Sequence, residues 1–318
     1  MSAEGTSRAD HPASPMERRW RVVRHAFGAE IDRLHDPRRV AAIVILAIVF
    51  AVIGAGVLAR GEEAGADARA YWAAVRIWLN GGDPYHPSGP FLPYVYAPWM
   101  LPLFAPWALL PWDVAWFVWR GGILIAWLAT IHWAYGRRPL ATAIAVLLLA
   151  FPIGANLDTG NVTLLLALGL WVAQFSEARL AGLIWAIATW MKWVPAPFWL
   201  LLAPRARTWG LLWLALAGIL SLLTLPLTII QLQALFGFGP RPPRLDYLVL
   251  LWATVPWLWR HPVALARFDP RTWRTNLGLL RRRAGALRAG WTSDPRSAGQ
   301  RARVEIRAFL GLENRGAG

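Results

Sequence analysis

Apolar residues run almost without a break from Val40 to Ala59, a stretch of about 20 residues that suffices to cross a bilayer core. Comparable runs follow at 113–135, 140–155, 161–174, 209–230 and 245–259, so the pattern predicts about six spans. The run from Leu180 to Pro204 is different, because Lys192, Pro195 and Pro197 interrupt it. It predicts two short helices that dip into the membrane and return. The alternation over ~10-residue segments that marks a membrane barrel is not visible. The expected fold is all-α, a polytopic helical membrane protein. A basic N-terminal segment (1–39) precedes a membrane domain (40–260), and a basic tail (261–318) follows it.

Between the first two apolar runs lies a polar and aromatic stretch, Gly61 to Pro111. Loops of that length are usually functional. Its first part predicts a short helix at 67–79, with Tyr71, Val75, Trp78 and Leu79 on one face and Arg69 and Arg76 on another. Tryptophan and arginine on such a helix suit the headgroup layer. Asn80-Gly81-Gly82 ends it, since glycine takes the left-handed cap at no steric cost. Pro93, Pro98, Pro102, Pro106 and Pro111 make the next segment a poor span, and it is expected as a re-entrant or interfacial piece packed on protein.

The chain is 57% hydrophobic and 16% charged, which fits membrane residence, yet its formal net charge is +15. Every basic residue but Lys192 is arginine, and the arginines gather before Val40 and after Arg260. That is the distribution expected of cytoplasmic flanks, and no nucleic-acid-binding module accompanies it. Arginine placement therefore predicts a multi-pass protein of the plasma (inner) membrane with both termini cytoplasmic. The 61–112 loop, Asp158 and the 231–244 loop are then outside. The basic tail is expected along the anionic inner leaflet. With no cysteine in the chain, disulfides, thiolate catalysis and zinc–cysteine sites are excluded. The six histidines show no paired metal spacing, so no metal or other cofactor is expected.

A few polar residues stand out against this background. Asp67 is either the N-cap of the helix that follows or a base held at the membrane edge. Asp83, in Gly-Gly-Asp-Pro-Tyr-His-Pro, fits a turn with Pro84 at its corner, while Tyr85, Tyr94 and Tyr96 could stack on a sugar or belong to an aromatic belt. Asp158 and Asn161 flank Gly160 where a span begins, a place for capping and for an anion. Lys192 is an ionisable group at membrane depth, hence a functional candidate by default; the alternative is snorkelling to the headgroups. Arg120, seven positions into its span, could pair with a carboxylate or a lipid phosphate.

Taken in order, these elements resemble the glycosyltransferase family 87 proteins, within the GT-C class of membrane glycosyltransferases. The matching features are Asp67 and Tyr71 on the aromatic helix, Gly82-Asp83-Pro84-Tyr85, and Tyr94-Val95-Tyr96-Ala97-Pro98 with its later prolines. Gly160-Asn161-Val162 opens a span, and Lys192 with Pro195 precedes the basic stop at Arg205. Asn161 stands where the family often has glutamine. The resemblance implies an inverting hexosyltransferase that moves a sugar, commonly mannose, from a polyprenyl-phosphate donor to a lipid or glycan acceptor outside the cytoplasm. It also implies that Asp67 is the catalytic base and that Lys192 contacts the donor phosphate. Arg120, Tyr71, Asp83, Tyr85, Tyr96 and Asn161 are the further substrate-binding candidates. Family members usually carry additional spans beyond those seen here, so a shortened, non-catalytic relative is one alternative. A transporter or flippase of a lipid-linked substrate is the other, because broken helices with midplane charge serve transport as well.

Overall fold

The computed structural model describes residues 36–61, 64–237 and 244–261, with isolated positions in the terminal segments. The expected basic tail, most of the N-terminal segment, Glu62, Glu63 and the centre of the 231–244 loop lie outside the described residues. Every regular element among the described residues is helical, as the apolar pattern predicts.

Three helices are long and apolar enough to cross a membrane: α1 (Pro37–Ala59), α4 (Trp112–Tyr135) and α9 (Pro204–Leu223). Their outward faces are apolar too, with Val44, Ile48, Val52, Phe117, Ile125 and Leu222 all exposed. Helices that are apolar all round belong in lipid. Between them lie α2 (Ala66–Leu79) and α3 (Leu101–Ala108), the latter entered by a 3-10 turn at Pro98–Met100.

The other expected spans are broken or short. Residues 140–155 are realised as α5 (Pro139–Leu148) and α6 (Ala150–Thr159), bent by 60°. Pro152 explains the bend: it has no N–H and its ring crowds the Leu148 carbonyl one turn earlier. Residues 156–159, between the runs expected to span at 140–155 and 161–174, are the last turn of α6, capped by Gly160 in the left-handed region at φ 68°. Then α7 (Val162–Ala173) and α8 (Ala178–Met191) follow, 12 and 14 residues long, or about 18 and 21 Å at ~1.5 Å per residue. The expected span 209–230 is divided at Thr224 between α9 and α10 (Leu225–Gly237). Pro226 is the cause, two residues into the new helix. The part of the expected 231–244 loop up to Gly237 is therefore helical. Residues 245–259 form a 3-10 helix at Leu245–Thr254, continued by α11 (Val255–Arg260). Ten residues at ~2.0 Å and six at ~1.5 Å make about 29 Å of helical path, close to the thickness of a bilayer core.

The expected dip and return at 180–204 takes a specific form. After α8 the chain is extended at Lys192 and comes back through a 3-10 turn at Ala196–Leu201. Then α9 starts beside the beginning of α8. A Cβ on Gly182 would lie 2.5 Å from the Gly210 nitrogen and 2.8 Å from the Ala206 carbonyl, and the Trp190 ring reaches Gly218. Both contacts pair residue i of α8 with i+28 of α9, so the two helices run parallel. Small residues permit this approach in lipid, where packing rather than hydrophobicity drives association.

Contacts sort the helix ends into two layers. One end collects the C-terminus of α1, the starts of α2 and α4, the α6–α7 turn, Lys192 and the start of the 245–254 helix. Arg60 pairs with Asp158 at 3.2 Å, the Gly65 N–H donates to the Asp158 carbonyl, and Asn156 donates to the Asp246 carbonyl. The opposite end collects Arg137, Arg138, Arg179, Arg205, Arg207 and Arg260, with Arg260 over Phe175 and Arg138 over Trp259. The relative placement of loops agrees with that expected from arginine distribution.

Replacing Gly182 with alanine should push α8 and α9 apart, because backbone atoms rather than flexible side chains occupy the space. The expected cost is about 1–3 kcal/mol, read as a lower unfolding midpoint in detergent. Gly56→Ala, where nothing lies within 4 Å, is the control and should not lower it.

Candidate functional site

The α6–α7 turn is the base of the site. Gly160 is fixed there twice over, by its positive φ and because a Cβ would lie 2.6 Å from the Ala68 Cβ and 2.7 Å from the Trp116 ring. This close approach brings the first turn of α2 onto the start of α7. The Trp119 indole donates to the Gly160 carbonyl at 3.1 Å, and Trp112 stacks on Trp116, so α4 closes the far side.

Asp67 does not cap its own helix. The N-cap of α2 is Gly65, and no side chain bonds there. Instead Asp67 Oδ2 accepts from Asn161 Nδ2 at 2.7 Å, across 94 positions of chain. Asn161 is the residue that caps, accepting the Thr163 N–H on Oδ1 at 2.9 Å. The same oxygen accepts from Lys192 Nζ at 2.9 Å and from Thr163 Oγ1 at 2.6 Å, while Lys192 Nζ also donates to Thr163 Oγ1 at 2.7 Å. Carboxylate, amide and ammonium thus form one chain of hydrogen bonds. Bonds to charged groups contribute about 1.5–3 kcal/mol each, which is how a lysine only 8% exposed is kept at this depth. The snorkelling alternative does not describe it.

Aromatic residues line this centre. Lys192 Nζ lies 4.6 Å from the centre of the Tyr247 ring, and the Arg244 guanidinium lies 5.4 Å from the same ring. Arg244 is itself held by Asp246, at 3.2 and 3.0 Å. The Tyr71 and Tyr96 hydroxyls bond each other at 3.1 Å, and Tyr71 packs on Phe104 and Trp119. Burial raises the Tyr71 phenol well above its ordinary range, and the neighbouring Tyr96 and Asp67 add to this. Burial likewise raises Tyr96, against the opposing pull of the Tyr71 hydrogen bond. Both remain neutral hydrogen-bonding groups beside the carboxylate.

The other expected site residues sit elsewhere. Asp83 is exposed in its own turn, where it accepts the Tyr85 N–H at 2.8 Å and contacts His86 Nδ1 at 2.8 Å. Partial burial pushes its carboxyl up, but the bonds to His86 and to the Tyr85 N–H outweigh that and leave it lowered. Tyr85 is buried with its hydroxyl on the Tyr96 carbonyl, so it supports the site from behind. Arg120 lies over the Trp116 ring at 5.1 Å, and among the described residues its buried Nη2 has no hydrogen-bond partner. Arg76, expected at the headgroups, donates to the Ala108, Leu109 and Leu110 carbonyls, satisfying the open end of α3. Thr163, Tyr247 and Arg244 are the residues that sequence reasoning missed. Among the described residues no group of three or more histidines or carboxylates could hold a metal ion.

Residues 94–241 match the family described as glycosyltransferase family 87. No curated protein and no solved structure gives a significant match. The matched segment carries Tyr96, Arg120, Asn161, Thr163 and Lys192. Asp67 and Tyr71 lie before it, Arg244 and Tyr247 after it. The match bears out the resemblance drawn from the motifs: over this segment the chain is similar to glycosyltransferase family 87, which is consistent with a GT-C-like glycosyltransferase on an all-helical membrane fold.

Proposed function

We propose that the protein is an inverting hexosyltransferase. It moves a sugar, mannose as the first expectation, from a polyprenyl-phosphate donor to a hydroxyl of a lipid or glycan acceptor. Glycosyltransferase activity in general is supported by the family match. The observation that carries the finer reading is the chain Asp67–Asn161–Lys192. It puts a carboxylate and an ammonium at one end of the bundle, one amide apart, beside neutral phenols.

In this reading the acceptor oxygen attacks the anomeric carbon as its proton passes to Asp67. The bond from that carbon to the phosphate oxygen breaks, and its electron pair leaves with the lipid phosphate. Such a leaving group needs no general acid, in contrast to glycoside hydrolysis with its paired carboxylates. Lys192 stabilises the charge that grows on the departing phosphate. Tyr71 and Tyr96 offer hydroxyls and ring faces to the sugar. The arginine distribution supports an extracytoplasmic site in this reading.

Asp67→Asn keeps the bond geometry to Asn161 nearly isosteric but removes the base. Its turnover, measured in vesicles with radiolabelled lipid-phosphate sugar, should fall about 10²–10⁴-fold with the unfolding midpoint unchanged. Wild-type turnover in this variant would remove Asp67 from the chemistry.

Lys192→Met should raise the donor KM or slow turnover by at least ~10-fold, a loss equivalent to one charge-assisted bond. Lys192→Arg should retain part of the activity. Equal donor binding by wild type and the Met variant would dismiss the phosphate contact.

For orientation, Ser88 is exposed in the loop after α2 and the chain has no cysteine. A Ser88→Cys variant should react with an impermeant maleimide on intact cells stripped of any outer barrier. Labelling only after lysis would move the site to the cytoplasm.

A further inference from the structure

We propose that Asn161 is a positioning residue for the transfer reaction, holding the base and the cation apart and aiming the base at the acceptor. The inference rests on the reading of Asp67 as base and Lys192 as phosphate contact, and adds what keeps those two groups usable. An opposite-charge pair in a partly dehydrated site attracts strongly: about 4 kcal/mol at 4 Å for an effective dielectric of 20. Left alone, carboxylate and ammonium close into a direct ion pair, which occupies the base and neutralises the cation together.

Asn161 stands between them. Its two ends cannot be exchanged: Nδ2 must face a group that only accepts, the Asp67 carboxylate, and Oδ1 must face groups that donate. Three donors converge on that oxygen, the Thr163 N–H, Thr163 Oγ1 and Lys192 Nζ, so the amide is locked. One oxygen of Asp67, Oδ2, is committed to Asn161. Oδ1 makes no hydrogen bond among the described residues and is left for the acceptor hydroxyl. The side chain is 2% exposed, so its energy goes into this arrangement rather than into contact with water.

Asn161 also caps α7, and capping alone could account for it. Serine, aspartate and asparagine all cap well, whereas alanine costs about 0.5–2 kcal/mol. Among the capping residues only asparagine carries donor and acceptor on separate atoms, so it alone can donate to Asp67 from one while the other takes the Thr163 and Lys192 bonds. The experiment compares Asn161→Ser, Asn161→Asp and Asn161→Ala in the reconstituted full chain, with unfolding midpoints and separate kcat and donor KM. Positioning predicts that Ser and Asp, which keep the cap, unfold at higher midpoints than Ala but lose kcat about 10²-fold, as Ala does. The loss falls on kcat more than on KM, because the base acts in the transition state.

Wild-type kcat in either capping variant overturns the inference and leaves Asn161 a cap. A loss confined to KM also overturns it, making Asn161 a donor contact. Should Ser fail to fold, the Asp variant carries the same comparison. Asp67→Asn is measured alongside: full activity there removes the base reading and this inference with it. An inactive Asp67→Asn with a fully active Asn161→Ser removes this inference alone.

Discussion

Inside a bilayer a peptide group with no partner is expensive, and this chain interrupts its helices several times at membrane depth. What the rest of the structure depends on is the supply of side-chain donors to those interruptions. Asn156 gives both hydrogens of its amide to carbonyls, at Pro152 and Asp246, and takes the Leu164 N–H on its oxygen. Gln174 reaches the Ala253 carbonyl at 2.7 Å. Trp185 and Arg207 serve the return segment, at the Ala196, Leu200 and Leu202 carbonyls. Each donor joins two elements while satisfying one, so the breaks hold the bundle together as well as dividing it.

The site is a by-product of the same device. The α6–α7 turn needs a cap at Asn161, the end of α8 leaves Lys192 extended, and the first turn of α2 has a spare carboxylate. Their meeting requires only that Gly160 let α2 approach. Around them a buried, largely aromatic core, with Tyr71, Tyr94, Tyr96 and Phe104 packed beside Val162, fixes the loop that the sequence marks as unusual. The part of the loop around Tyr71, Tyr85, Tyr94 and Tyr96 is therefore part of the core.

Much of this was legible in the sequence, and the illegible part has physical causes. Asp67, Asn161 and Lys192 are each conspicuous, being polar in apolar or aromatic surroundings, but local pattern could not say that one amide joins them. Capping and catalysis look alike in sequence for Asp67; the glycine before it, in the left-handed region, takes the cap instead. Thr163 was invisible, since a threonine in an apolar helix commonly bonds its own backbone. Tyr247 belongs to a 3-10 helix whose ten residues exceed the usual length of that structure, and no periodicity announces it. Arg120 and Asp83 were singled out for their chemistry, and the fold sets both aside from the carboxylate. Proline marked the break at 195, but Pro152 and Pro226 interrupt runs that read as continuous spans, and none of them reveals that the chain resumes parallel to itself.

That parallel course has an electrical consequence. Each helix carries roughly half a positive charge at its N-terminus and half a negative one at its C-terminus. Asp67 lies in the first turn of α2 and is bonded to the N-cap of α7, so two positive ends face it. Lys192 stands at the C-terminus of α8, and α9, running the same way, brings a second negative end to the same level. An antiparallel hairpin would have set opposite ends side by side and cancelled them. Here the backbone itself polarises the centre, with the carboxylate and the ammonium each seated on the pole that favours it.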